Sequence, residues 1–271
     1  MKIEFENFSE SVLLKELYTA SQGMMPQQMR LEVIANNMAN SQTPGFKREA
    51  VFERDLIEAR GNLKNVPGDT EEDDVPVGSY IDFSNGNMYQ TDNPLDIAID
   101  EKGFFSVQDE AGNVFFTRSG HYKLSLDGYI VDMEGNYLLG SGGPIALDAE
   151  FFSDPNNMKS NEKLGITIHE NGEIFVNDHL VGTVSLTDIK NPESMRKVTG
   201  KNFIPTDRTH FMELSPDDVR LRQGWLEGSN VNIISEMVSM IELQRMFEAG
   251  QRVIRTNEES LSRSIQIGRF M

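Results

Sequence analysis

Apolar residues recur with the same spacing at the two ends of the chain. Leu13, Leu17, Ala20, Met24, Gln27, Leu31, Ile34 and Met38 alternate four and three residues apart, with Gln27 the single polar member. That is the period of a helix packed along its length. Near the other end, Ile233, Met237, Met240, Gln244, Phe247, Gln251, Ile254, Glu258, Leu261 and Ile265 repeat the alternation. A second stripe, Ile234, Val238 and Ile241, lies beside the first, so the apolar arc is wider than one partner helix would cover. The spacing predicts a first helix over 9–40, kinked or split at Pro26, because proline removes a backbone bond and clashes with the preceding turn. Asn40-Ser-Gln-Thr43-Pro44-Gly45 supplies its stop. Asn36 and Asn40 share a face, suited to amide hydrogen bonds where the backbone leaves the helix. The last helix is expected to start after Asn230 or Asn232 as N-cap, with Glu236 against its positive end, and to run to about Ile267.

Between the helices the period changes to two. Phe104–Val107, Val114–Arg118, Tyr122–Leu126, Tyr129–Val131 and Tyr137–Leu139 read as strands, with Asp127-Gly128 and Glu134-Gly-Asn136 as hairpin turns. A second group follows at Ile166–Ile168, Glu173–Val176 and Val181–Leu186, with Asn171-Gly172 as its turn. Strands this short and close imply antiparallel pairing. The signal is weak from Phe52 to Tyr80, and the charged run 67–78, bounded by proline and glycine, reads as a solvated loop. The fold class expected is α+β: discontinuous terminal helices forming a coiled-coil inner domain, with a mainly antiparallel β middle domain.

Composition narrows the function. Among 271 residues, 43 acidic against 25 basic side chains give a net charge of −18, which argues against a phosphate-binding surface and so against nucleic acid. There is no cysteine, which excludes disulfides, thiol catalysis and thiolate metal sites. No apolar run approaches the ~20 residues of a membrane span, and the acidic start lacks the layout of a cleaved signal peptide. His121, His169, His179 and His210 are scattered at no metal-binding spacing. Leu139-Gly-Ser-Gly-Gly-Pro144 lacks the Lys-Ser/Thr ending of a phosphate loop and reads as a turn. No catalytic, metal or cofactor site is expected, and no enzyme.

Residues Ala35, Asn36, Asn37 and Asn40, followed by Thr43, Pro44, Gly45, Phe46 and Lys47, resemble the N-terminal signature of the bacterial flagellar rod and hook family. Asn93–Ile99, Gly103–Val107, Phe116–Gly120, Asp127–Val131, and the run Gly224–Asn232 with Gly228, Ser229, Asn230 and Asn232 match in order along most of the chain. The resemblance implies a structural rod subunit. Residues 1–45 and 230–271 would form the inner helical domain, 46–84 and 215–229 a connecting region, and 85–214 an outer β domain. Leu13, Leu17, Met24, Leu31, Ile34, Met38, Ile233, Met237, Met240, Phe247, Ile254, Leu261 and Ile265 would make the coiled-coil and inter-subunit contacts. It also implies passage through the flagellar type III export apparatus without a cleaved signal peptide, and a periplasmic place in the basal body. The partners would be further copies, other rod proteins and the surrounding rings. Asn93-Pro-Leu-Asp, Trp225–Asn232 and a short Phe46–Asn93 segment are closest to the proximal-rod subunit. A distal-rod subunit is the alternative, and an export-linked cap or adaptor a further one.

Overall fold

The computed structural model describes residues 27–53, 77–147, 165–177, 179–192, 195–205, 211–215 and 218–269. Residues 1–12, Leu13, Leu17, Met24, Pro26, His210 and most of the acidic run lie outside them. The chain divides into two units. One comprises Met1–Ala39, Glu49–Ile81 and Asn232–Met271; the other comprises Asn40–Arg48 and Asp82–Val231.

In the first unit, α1 covers 27–39. Strand β1 (Glu49–Glu53) pairs antiparallel with β2 (Val77–Ile81), and α2 is Ile233–Arg269. At 1.5 Å per residue α2 is about 55 Å long. Asn232 caps it, its Oδ1 accepting from the backbone N–H of Ile234 at 3.1 Å and of Ser235 at 3.2 Å. The chain therefore selects Asn232 from the two expected caps. Val77 and Gly78, expected in a loop, belong to β2. Their ends, Glu53 and Val77, lie too far apart in sequence for a short hairpin motif to link them.

The second unit is almost wholly antiparallel. Its strands are β3 (Met88–Gln90), β4 (Ile97–Ile99), β5 (Phe104–Gln108), β6 (Val114–Thr117), β7 (Tyr122–Leu124), β8 (Ile130–Asp132), β9 (Tyr137–Gly140) and β10 (Gly143–Pro144). They continue with β11 (Ile166–Ile168), β12 (Glu173–Val176), β13 (His179–Thr183), β14 (Leu186–Ile189), β15 (Met195–Thr199), β16 (Asn202–Pro205), β17 (Phe211–Glu213), β18 (Leu221–Gln223) and β19 (Trp225–Glu227). The main sheet runs β15-β16-β6-β5-β9-β8-β7, with β10 on β9 and with β14 linking β5 to β17. Strands β11-β12-β13 form a second sheet. Two pairings span the length of the unit, β18 on β4 and β19 on β3.

Four hairpins close in the same way. The carbonyls of Asp109, Ser125, Asp132 and His169 accept from the N–H of Gly112, Gly128, Gly135 and Gly172 at 3.0–3.2 Å. Each glycine has φ between 83° and 97°, the left-handed conformation that closes a three-residue turn with a bulge. The glycine turns expected at Asp127-Gly128, Gly135 and Asn171-Gly172 are all present, and Gly140–Gly143 turns between β9 and β10. Strand alternation then sends Ile97, Ile99, Phe105, Val107, Tyr122, Ile130, Leu138, Leu186 and Leu221 into one core. Phe105 and Tyr122 meet edge to face at 5.6 Å.

Tyr122 is buried, yet its hydroxyl has no hydrogen-bond partner among the described residues. Burial, and secondarily the charge of Asp132, push its phenol well above the ordinary 10.0. The unfolded chain therefore loses this proton first as pH rises. Stability falls above pH 10.0 and is unaffected by this group below it. Tyr122→Phe should raise stability at neutral pH by about 1 kcal/mol, because an unpaired buried hydroxyl is removed. It should also flatten the alkaline loss, as measured by urea titrations across pH. A clear drop in stability at pH 7 would mean that the hydroxyl is paired after all.

Candidate assembly interface

The segment that follows α1 is fixed by its own turn chemistry. Thr43 N–H donates to the Asn40 carbonyl at 3.1 Å, and the Thr43 hydroxyl donates to Asn40 Oδ1 at 3.2 Å. Gly45 follows with φ 70°, and its N–H reaches the Glu227 carbonyl at 2.8 Å. A Cβ at Gly45 would lie 2.2 Å from the Ser119 nitrogen, so no other residue fits. Phe46 is then fully buried, with the Lys197 ammonium 3.8 Å above its ring.

Lys47 comes next and is also buried. Its Nζ donates to Glu227 Oε1 and to the Ser84 carbonyl, both at 2.7 Å. Glu227 Oε1 also accepts from Gly86 N–H at 2.9 Å, and Oε2 meets Arg118 Nη1 at 3.4 Å. Arg118 donates from Nη2 to the Glu101 carbonyl at 3.0 Å and lies over the Phe104 ring. One buried carboxylate thus holds two buried cations, assisted by carbonyl oxygens that take up the excess positive charge. Burial lowers the Lys47 and Arg118 pKa values, and the Glu227 charge opposes that shift in both. The Glu227 carboxylate is engaged by three donors from separate segments. This is a lock between chain segments, with no free nucleophile, base or ligand set. Among the described residues, no cluster could hold a metal ion.

Two asparagines grip adjacent residues of the chain, each within its own unit. Asn230 Oδ1 accepts from Arg48 N–H at 2.7 Å, while its Nδ2 donates to the Asp82 carbonyl at 2.8 Å. Asn37 Nδ2 donates to the Glu49 carbonyl at 2.7 Å, and its Oδ1 accepts from Glu49 N–H at 3.0 Å. The Asn37 side chain thereby pairs with β1 as another strand would. It also lies 3.5 Å from Glu236, which is 1% exposed in the first turn of α2. Asn37 is buried, whereas Asn36 and Ala35 are exposed. The amide that anchors this helix end is therefore Asn37, beside the Asn36 and Asn40 face that spacing suggested. Ser229 Oγ accepts from Val231 N–H, and Gly228 N–H bonds the Asn87 carbonyl.

The seam residues divide by exposure. Leu31, Ile34 and Met38 on α1 are half-buried, as are Met240, Phe247 and Ile254 on α2. The inward face of α2 is completed by Glu236, Leu243 and Gly250, with Leu243 only 4% exposed. Sequence spacing missed Leu243 because it grouped Gln244 and Gln251 with Met237, one residue out of phase. Ile233 and Met237 are exposed, together with Ile234 at 70%, Val238 and Ile241. These five side chains span an arc of about 140° at 100° per residue. They form an outward apolar stripe confined to the first three turns. Gln244, Arg245, Glu248 and Arg252 occupy that side further along. Leu261 and Ile265 lie on α2, but their side chains are outside the described set.

Three family descriptions match this sequence. "Flagella basal body rod protein" covers residues 17–47, "Flagellar hook protein FlgE/F/G D1 domain" covers 98–176, and "Flagellar basal body rod FlgEFG protein C-terminal" covers 222–267. The flagellar basal-body rod protein FlgF of Mesorhizobium japonicum is 31% identical over 251 residues, spanning 92% of this chain and 96% of that protein. The rod protein FlgG of Caulobacter vibrioides is 30% identical over 277 residues, spanning 94% and 99%. FlgG of Bacillus subtilis is 30% identical over 275 residues, spanning 95% and 100%.

Glu227→Gln should cost about 3–5 kcal/mol, because it leaves two buried cations without their counter-charge. Fluorescence of the single tryptophan, Trp225 in β19, gives the readout during denaturant unfolding. Asn37→Ala should cost about 1–3 kcal/mol, as it strands the N–H and carbonyl of Glu49. Asn36→Ala should cost less than Asn37→Ala, because Asn36 is exposed and Asn37 is buried. Equal losses in the two asparagine variants would contradict the anchoring role of Asn37.

Proposed function

This chain belongs to the flagellar basal-body rod protein family, and we propose that it is a proximal-rod subunit joined to its neighbours through its terminal helices. As a family member it is a structural subunit of the rod and not an enzyme. The observation that carries the assembly reading is the outward stripe Ile233, Ile234, Met237, Val238 and Ile241 on α2. The opposite face of the same turns is already turned inward through Glu236 and Leu243. Exposed apolar side chains grouped on one helix face favour a protein partner over water. In a chain of net charge −18, such a group is also the part least subject to mutual repulsion between copies.

In this reading the helices form the inner coiled-coil layer and the β unit the outer layer, facing the rings. Contacts between different patches of successive subunits do not close, so they generate a helical stack. Torque passes along the stack because twisting it requires many apolar contacts to slip together. The subunit reaches its place through the type III export route. The short Phe46–Asn93 segment and the Trp225–Asn232 run support the proximal position.

Ile234→Asp with Val238→Asp tests the stripe. Both side chains are exposed in the chain, so the isolated protein should keep its circular dichroism and melting curve. Assembly should fail, because each substitution puts an unpaired charge at a contact that must be desolvated. Basal bodies imaged from the variant strain should lack a complete rod. Normal rods and motility would refute the interface. Labelled subunits at the distal end of the rod would refute the proximal position.

A further inference from the structure

One concave site in the β unit is used neither by the Glu227 lock nor by the helices. It is an open groove of about 320 Å³ with Val184, Leu214 and Val219 along its floor and Asn171, Ser185 and Glu213 on its rim. Glu213 is exposed, and its Oε1 accepts from Ser185 Oγ at 2.6 Å. No cation pairs with this carboxylate among the described residues. The nearby Arg220 directs Nη1 to the Val219 carbonyl at 2.8 Å. Glu213 is thus oriented by a hydroxyl, has no cation paired with it among the described residues, and stands in a groove lined by Val184, Leu214 and Val219 together with polar Ser141, Asn171, Thr183 and Ser185.

That combination selects a ligand chemistry. A phosphate or carboxylate would meet Glu213 and the strongly negative chain. A planar base finds no aromatic platform among the lining residues. The volume lies at the small end for ligand pockets, which fits one side chain better than a cofactor. A long basic side chain satisfies every feature: its stem covers the apolar floor, and its head meets the carboxylate. Arginine fits best, since its planar fork can meet a carboxylate with two parallel bonds. We infer that this groove is a socket for an arginine side chain presented by a protein partner. The inference concerns the β unit alone and stands or falls independently of the rod position and of the helical stripe.

The test follows backbone amide shifts of the full-length protein during titration with N-acetyl-arginine amide, using N-acetyl-norleucine amide as the uncharged control. Saturable shifts are expected at Asn171, Val184, Glu213 and Leu214 with the arginine probe and not with the control. Glu213→Gln should weaken that binding at least about tenfold without moving the melting temperature. Glu213→Asp, which keeps the charge, should retain much of it. The proposal is overturned by shifts scattered over the acidic surface, by shifts unchanged in Glu213→Gln, or by no shift at all. Equal binding of the norleucine probe would show an apolar cleft only and would overturn it as well.

Discussion

A single buried carboxylate organises the β unit where its distant segments meet. Glu227 comes near the end of the unit, Lys47 from its first segment, and Arg118 and Gly86 from the stretch between. Bringing these segments together costs loop-closure entropy, and the desolvation of three charges adds to that cost. The arrangement persists because every Glu227 oxygen has a donor and both cations have carbonyl acceptors as well. The glycines around it follow from this closeness. A Cβ at Gly86 would lie 1.9 Å from the Gly228 oxygen, and one at Gly45 would run into the Ser119 backbone. The family signature around Gly45-Phe46-Lys47 is therefore a packing requirement.

The helical unit is stabilised differently. Few of its described α2 side chains are buried, and Leu243 alone among the apolar ones is almost fully enclosed. A helix about 55 Å long with so narrow a buried face among its described side chains has little apolar packing beneath it, and isolated helices are marginal in water. Its starting point is nevertheless well defined. The Asn232 cap fixes the first turn, and Asn37 ties the end of α1 to β1 and lies beside Glu236.

Several features were legible because they are local. The glycine turns at Gly128, Gly135 and Gly172, the alternating strands between them and the choice of Asn230 or Asn232 as cap all depend on neighbours within about five residues. The pairings of β1 with β2, β4 with β18 and β3 with β19 were not legible. Their partners lie too far apart in sequence for any turn signal to announce them. Leu243 was hidden because Glu236, a charged residue, shares its heptad position, and periodicity counts a buried glutamate as a surface one. Asn37 was outweighed by Asn36 and Asn40 because helical spacing shows which residues share a face, but not what that face meets.

By itself, then, the sequence determined where the glycine turns fall, the strands that flank them, where the last helix begins, and the family whose ordered motifs it carries. Those properties rest on backbone conformation and short-range side-chain geometry, which a linear pattern encodes directly. Only the tertiary structure decided which carboxylates are buried, which asparagine anchors the helix end and which apolar stripe of α2 remains outside. Each of those depends on what distant residues place opposite a side chain. Burial also reverses the sign of a charge's contribution, according to whether a partner is there to meet it.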